Sequence, residues 1–448
     1  MATQHTEQSG ELLKFVPRPS RPPVTITYGP AGWLKKNMFG NIWNSLLTFA
    51  VFALLFFLLK PFLEWTLIKA VWSASTRREC LAISPDGACW AGIFPWFNNL
   101  MYGLYPDALQ WRVNLGFCIG FLWFLPLAFK KITNKMLIAL SGVTLFPFVA
   151  NYLFLGGERS TFHYIVSCFA LAYLLLIYTN IFFKYMGKEP FEQYLEPFTS
   201  RLYRKNTFLS AHLMILLLLT VVIAFLLGNL TLEYVSVDAW GGLFLTIIIS
   251  SVSIVMALPI GIVLALGRRS EMIIIKWFSI CTIELVRSVP MITVLFMSVT
   301  MLPLFFPNTM ELNKLVQVLV AVCLFAGAYM AETVRGGLQA ISKGQYDAAK
   351  SLGLGYWYMM IFIILPQALK AMIPNIVTSF ISLFKDTTLV SIIGLFDIML
   401  MARNIAIDKN WLGLHAEPLV AISILFFIIC YTMSQYSQRL EKKLNTNR

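Results

Sequence analysis

Charged side chains inside apolar runs are the first residues in this 448-residue sequence whose chemistry needs explaining. Glu284 and Arg287 stand three apart in IELVRSVP, so on a helix they share a face and can neutralise each other. A charge at the bilayer centre costs roughly 2.5–3.5 kcal/mol on insertion scales. The pair therefore either occupies a protein-lined, watery place where a substrate or gate meets it, or lies at an interface and fixes helix packing. Glu332 and Arg335, in AYMAETVRGG, repeat the spacing at the end of another apolar run, with the same two readings. Lys385 and Asp386, in LFKDTTLVSIIG, are adjacent, and neighbours on a helix point about 100° apart. They are placed to reach separate partners or water, either as part of a pathway or gate or as a solvated helix end.

Catalytic and metal-binding patterns are missing from the sequence. It has no G-x-x-x-x-G-K-[ST] loop for ATP, no H-E-x-x-H and no G-x-S-x-G. The four histidines, His5, His163, His212 and His415, are scattered without ligand spacing. The expectation is a chain with no catalytic residue, no metal and no cofactor of its own.

A third pattern lies in QYDAAKSLGLGYWYMMIFIILP, which begins at Gln345. Gln345 to Lys350 is polar, with Tyr346, Asp347 and the small Ala348 and Ala349, while Gly353 and Gly355 let the backbone turn sharply. Leu352, Leu354, Trp357 and Tyr358 add a short apolar side, and Pro366, after Leu365, is expected to bend or restart the helix that follows. A short surface helix whose two alanines expose backbone has the form of a knob for a partner's groove. An ordinary interfacial loop is the other reading.

These residues must be held by membrane helices. The chain is 58% hydrophobic, 15% aromatic and 13% charged, about half the charged share of a soluble domain. Runs long enough to cross about 30 Å of hydrocarbon lie near 41–60 (apolar on to about 72), 113–129, 136–156, 163–184, 210–228, 241–266, 278–304, 313–334, 358–384 and 416–437. The fold class expected is an all-α polytopic membrane protein with about ten transmembrane helices. The net charge of +13 comes from short clusters between apolar runs, which excludes a nucleic-acid-binding face. Lys35 and Lys36, Lys130 with Lys131 and Lys135, Arg201 with Arg204 and Lys205, Arg268 and Arg269, Arg335 with Lys343 and Lys350, and Arg439 with Lys442 and Lys443 all fall on one side of such a threading. That places both termini in the cytoplasm. Residues 1–38, with Pro17, Pro19 and Pro22 and no early apolar core, read as a cytoplasmic tail, as do residues 441–448.

The loop at about 73–111 would then lie outside. It carries Arg77 and Arg78 against the charge rule, and Cys80 and Cys89, which would either be joined as a disulfide or remain two free thiols. Its Trp90, Phe94, Trp96 and Phe97 fit an interfacial aromatic belt. Near residue 230 the composition changes. Upstream runs (39–230) are aromatic-rich, whereas downstream (231–440) Gly, Ser and Thr enter the apolar runs, as in GGLFLTIIISSVSIVMALPIGIVLALG, and small residues permit close helix packing.

The order acidic residue, Ala, Ala, three residues, Gly, nine residues, Ile, one residue, Leu, Pro is met by Asp347, Ala348, Ala349, Gly353, Ile363, Leu365 and Pro366. It resembles the "EAA" loop of the membrane subunits of bacterial ATP-binding-cassette importers. IELVRSVPMITVLF, AYMAETVRGGLQAISKGQYDAA and FISLFKDTTLVSIIG are similar to the polar amino-acid uptake subfamily of histidine and glutamine permeases. The extra segments before them and RSVP in place of R-G-T-P resemble the M-type subunit of the general L-amino-acid permease branch. Asp347 departs from the usual Glu, keeping the carboxylate on a side chain one methylene shorter, which puts the strength and angle of its contact to an ATPase cation in doubt.

The resemblance implies a five-helix type I importer core within 231–440, in a multi-pass protein of the bacterial inner membrane. It implies a heterodimer with a homologous second permease, two cytoplasmic ATPase subunits that bind ATP and Mg, and a periplasmic amino-acid-binding protein. Gln345, Tyr346, Asp347, Ala348, Ala349, Leu352, Gly353, Gly355, Leu365 and Pro366 would form the ATPase-coupling loop, and Glu284, Arg287, Lys385 and Asp386 are the substrate or gate candidates. The alternative is an ion-gradient-driven secondary amino-acid transporter, which predicts inverted repeats that the sequence does not display.

Overall fold

The computed structural model describes residues 29–129, 135–157, 161–185, 207–227, 232–306 and 312–445. The tail through residue 28, Lys130 and Lys131, the cluster of Arg201, Arg204 and Lys205, and the last three residues lie outside them. The described residues form helices and no named strand. In order these are α1 (Pro30–Asn37), α2 (Ile42–Leu63), α3 (Arg77–Ile83), α4 (Ile93–Tyr102), α5 (Gln110–Phe124), α6 (Lys135–Leu155), α7 (Thr161–Tyr185), α8 (Thr207–Leu227), α9 (Gly242–Arg268), α10 (Ile273–Ser288), α11 (Met291–Thr300), α12 (Lys314–Ala340), α13 (Lys343–Ser351), α14 (Tyr356–Met359), α15 (Leu365–Asp386), α16 (Ile398–Ile405) and α17 (Ala416–Asn445).

Each of the expected spans coincides with one of these helices or with a pair of them. Eight helical segments among the described residues are long and apolar enough to cross a membrane, or nine if the bent pair α10 and α11 counts as one span. The further expected span, 210–228, is α8, whose apolar stretch is Ile215–Phe225. The expected continuous span at 278–304 is instead broken by 107° between Ser288 and Met291. Pro290 causes the break. It bars the residue before it from helical geometry, so Val289 is extended at φ −108° and ψ 137°. The other proline in doubt, Pro366, does not stop its helix. Its ring excludes the normal approach of the carbonyl four residues back, and the turn before it, Met360–Ile364, widens to a π-helix that runs directly into α15.

The chain divides into two compact units, residues 1–71 with 81–88, and residues 72–80 with 89–448. In the first, α2 is apolar all round and has no buried residue, as expected of a helix whose solvent is lipid or another membrane helix. Its return segment is fastened by Val71 N–H to the Ala88 carbonyl at 2.8 Å and by Ala88 N–H to that of Trp65 at 2.9 Å.

The second unit is centred on α9 and α12. Glycines let them meet closely: a Cβ on Gly327 would stand 2.3 Å from Ile260 Cγ2, and one on Gly261 would stand 2.7 Å from Met330. The composition change near 230 falls inside this unit. At one end of α9, Gly103 pairs with Trp240 in an isolated bridge at φ +72°, where a Cβ would stand 2.3 Å from Gly241 Cα. Arg112 is fully buried in the same unit, donating from Nε to the Leu153 carbonyl at 2.7 Å and from a terminal nitrogen to that of Glu233 at 2.9 Å. Cys80 and Cys89 are joined by a disulfide. Cys89 N–H donates to Glu417 at 3.1 Å, and Arg77 N–H donates to the Asn410 carbonyl at 2.8 Å. The aromatic belt expected here is corrected at one position. Trp90 is buried and stacks on Trp72, because the disulfide-bonded segment turns it inward, while Phe94 and Phe97 remain exposed.

Asp397 caps α16, accepting from Leu400 N–H at 3.0 Å, and is fully buried. Burial pushes its carboxyl up to about 7, against the backbone N–H groups of Leu400 and Met399 and the charge of Arg403, which pull it down. An acid whose folded value lies above its ordinary 3.8 loses stability as pH rises between the two. The thermal midpoint in detergent should therefore fall as pH rises from about 4 to about 7. Asp397→Asn, which keeps a good N-cap, should flatten that slope, and an unchanged slope in the variant would contradict it.

Candidate functional site

The charged residues singled out in the sequence gather at one end of α9, α10 and α12. Arg268, in the last turn of α9, donates to Glu284 on α10 at 2.8 Å and to Glu332 on α12 at 2.9 Å. Glu332 also takes Arg335 at 2.9 Å and Arg287 at 3.6 Å. The Arg287 guanidinium lies over the Tyr329 ring, 5.2 Å from its centre. One carboxylate thus serves three guanidinium groups.

This corrects the expected pairing of Glu284 with Arg287. Glu284 reaches across to Arg268, and Arg287 turns to Glu332. A pair three apart on one exposed helix face gains only about 0.2–0.5 kcal/mol, so a guanidinium at hydrogen-bonding distance from both carboxylates takes precedence. The Glu332 and Arg335 pair forms as its spacing implies. Arg268 was visible in the sequence only as one of a basic cluster, and nothing local signalled that its partners lie 16 and 64 residues away.

Lys385 and Asp386 are not brought to this cluster. They end α15, a helix of 22 residues, or about 33 Å at 1.5 Å per residue. Among the described residues neither makes an ion pair. Lys385 instead closes a stripe of exposed residues on one face: Gln367, Ala371, Asn375, Thr378, Ser382 and Lys385, at spacings of four, four, three, four and three. Between Leu365 and Asp386 no large hydrophobic side chain is exposed, whereas α10 exposes Ile273, Ile274, Trp277 and Phe278.

The polar segment forms α13, followed by a turn and α14. Ala349 is 2% exposed and packs into the core, so the expected exposure of both alanines is corrected: Ala348 faces out and Ala349 in, since consecutive helical positions diverge. Gln345, Asp347, Leu352, Gly353, Gly355 and Pro366 are exposed, and Tyr346 and Leu365 are half-buried. Gly353 ends the helix in left-handed backbone at φ +72°, with open space around it, so its identity is required by conformation and not by crowding. Gln367 donates to the Gln345 side chain at 3.1 Å, joining the start of α15 to α13.

The family model for the binding-protein-dependent transport system inner membrane component matches residues 257–446, which include the ionic cluster from Arg268 onward, α13 and the α15 stripe. The inner membrane amino-acid ABC transporter permease protein YhdY of Escherichia coli (strain K12) is 39% identical over 430 residues, 96% of this chain and 97% of the relative. The chain belongs to the amino-acid ABC transporter permeases.

BztC of Rhodobacter capsulatus, named as a glutamate/glutamine/aspartate/asparagine transport system permease protein, is 38% identical over 451 residues, 95% of this chain and 96% of the relative. GltK of Escherichia coli O157:H7, a glutamate/aspartate import permease protein, is 33% identical over 207 residues, 45% of this chain but 91% of the relative. The permease thus has long relatives that match it throughout and a shorter one that matches less than half of it. It is a transport subunit of the inner membrane, and these relatives do not support the ion-gradient-driven alternative.

Glu332 is 17% exposed and Glu284 55% as side chains. Glu332→Gln should lower stability by about 2 kcal/mol, because it leaves three guanidinium groups around an uncharged amide. Glu284→Gln, at a water-facing site, should cost less. Thermal unfolding of the two purified variants checks the order, and equal losses would contradict it.

Proposed function

We propose that this permease subunit forms the translocation pathway of an amino-acid importer together with a homologous second permease, and is driven by two cytoplasmic ATPases that engage α13. The observation that carries the reading is the build of α13. A short polar helix between two membrane segments is fastened through buried Ala349 and half-buried Tyr346, and offers its exposed side, with Asp347, Ala348 and the following Leu352, to a partner. ATP and Mg belong to the ATPases in this reading, and this chain supplies the lever. Both termini lie in the cytoplasm, as the lysine and arginine clusters favour.

The α15 stripe supports the pathway. A membrane helix that shows polar groups and no large hydrophobic on its exposed side is poorly suited to lipid there, so that face borders water or the second permease. Lys385 and Asp386 would stand at its far end, and the cluster of Glu284 and Arg287 near the ATPases. A periplasmic binding protein delivers the substrate. The names of BztC and GltK make acidic amino acids and their amides the first substrates to test.

When ATP closes the ATPases, α13 moves with them and the helices above it rock between inward and outward openings. Gly353 tests the lever directly. A β-branched residue in left-handed backbone costs about 1–2 kcal/mol or more, whereas Asn tolerates that region. Gly353→Val should lose the ATPases on gentle purification and Gly353→Asn should keep them, as read by mass spectrometry of the co-purifying chains. Retention of the ATPases by both variants would contradict the role given to α13.

A further inference from the structure

Arg268 and Arg269 close α9 side by side, yet they point to different partners. Arg268 enters the ionic cluster with Glu284 and Glu332. Arg269 donates to the Tyr346 hydroxyl on α13 at 3.0 Å, with its guanidinium 5.5 Å from the centre of the same ring. That hydroxyl in turn donates to the Leu338 carbonyl in the last turns of α12 at 3.3 Å. Tyr346 is thus pinned between α9 and α12 from its place on α13.

The connectivity gives this contact its weight. α13 is joined to α12 by the two residues Ile341 and Ser342, and through α14 to α15, so it acts on those helices by covalent chain. α9 has no such link. Among the described residues no other hydrogen bond or ion pair joins α9 to α13. α9 is also the helix that reaches furthest from the cluster: 27 residues, about 40 Å at 1.5 Å per residue. At its other end Gly242 N–H donates to the Phe396 carbonyl at 2.7 Å, and Ile398 N–H to the Thr246 hydroxyl at 3.4 Å.

We propose that Arg269 and Tyr346 form a strut by which movement of α13 is delivered to α9, with Arg268 and Glu332 next to it making the end of α9 rigid enough to transmit the displacement. Both are positioning residues, acting through the helices they join. The inference rests on the reading of α13 as the ATPase lever. A tyrosine suits the task because its ring gives the guanidinium a face to lie against and its hydroxyl both accepts from Arg269 and donates to Leu338. Loss of the strut would leave α13 attached but loosely geared, so ATP would be spent with less transport.

The test is the complete complex, with its ATPases, second permease and binding protein, in proteoliposomes, supplied with a radiolabelled mixture of the proteinogenic L-amino acids. The quantity read is uptake per ATP hydrolysed. Arg269→Ala and Tyr346→Phe should each lower it about 3- to 10-fold, the effect of one lost hydrogen bond to a charged or shared group. The double variant should fall by less than the product of the two single effects, since the Arg269–Tyr346 hydrogen bond is lost in both. Arg269→Lys, which keeps a donor, should recover most of the ratio, which a merely structural role would not predict. Tyr346→Phe removes one oxygen and so carries the test if Arg269→Ala fails to assemble. Single variants with the wild-type ratio, or effects that multiply in the double variant, would overturn the strut. If they do so while Gly353→Val still sheds the ATPases, the lever stands and the strut alone is wrong. If Gly353→Val also retains them, both readings fall.

Discussion

Glu332 is the constraint on which the rest of the functional end depends. Its carboxylate stands among the guanidinium groups of Arg268, Arg287 and Arg335, which come from α9, α10 and α12. A partly buried anion must be paired, and cations gathered this closely must share an anion or repel. The three helices are consequently fixed to one another at that end, and α13 emerges beside the junction.

The charges can meet only because the backbones approach closely. In lipid the apolar side chains of two helices gain little from leaving their surroundings, so association depends on packing and on polar contacts between helices. Gly261 and Gly327 bring α9 and α12 together, and Gly337 does the same for α12 and α15, where a Cβ would meet the Ala368 carbonyl at 2.7 Å. At the other end of α9 the restraints are backbone contacts: Gly242 N–H to the Phe396 carbonyl, Ile398 N–H to the Thr246 hydroxyl, and the bridge between Gly103 and Trp240 just before the helix.

The exposed surfaces sort by solvent. α2 and α10 present large apolar side chains, suited to hydrocarbon, whereas α15 presents amide, hydroxyl and ammonium groups in one stripe and no large hydrophobic. The broken helix pair at Pro290 and the π-turn before Pro366 lie in the same part of the chain as this stripe and α13. Irregular backbone in a membrane protein is tolerated where protein or water can satisfy it.

By itself the sequence determined the membrane helices and the form of the polar segment between two of them. Apolar length sets each span, and the run from Asp347 through Gly353 to Pro366 sets a short polar helix, a left-handed stop and a re-entry, all within 20 consecutive residues. Such features are local, because hydropathy, glycine's freedom and proline's missing donor act over a few residues. The tertiary structure decided who pairs with whom. It gave Glu284 to Arg268 and not to Arg287, turned Ala349 inward and Ala348 outward, buried Trp90, and set Arg269 against Tyr346, 77 residues along the chain. Spacing along one helix fixes which face a side chain is on but not what stands opposite. That depends on how closely the helices pack, and the glycines that permit the approach are recognisable as contact points only once the helices are in place.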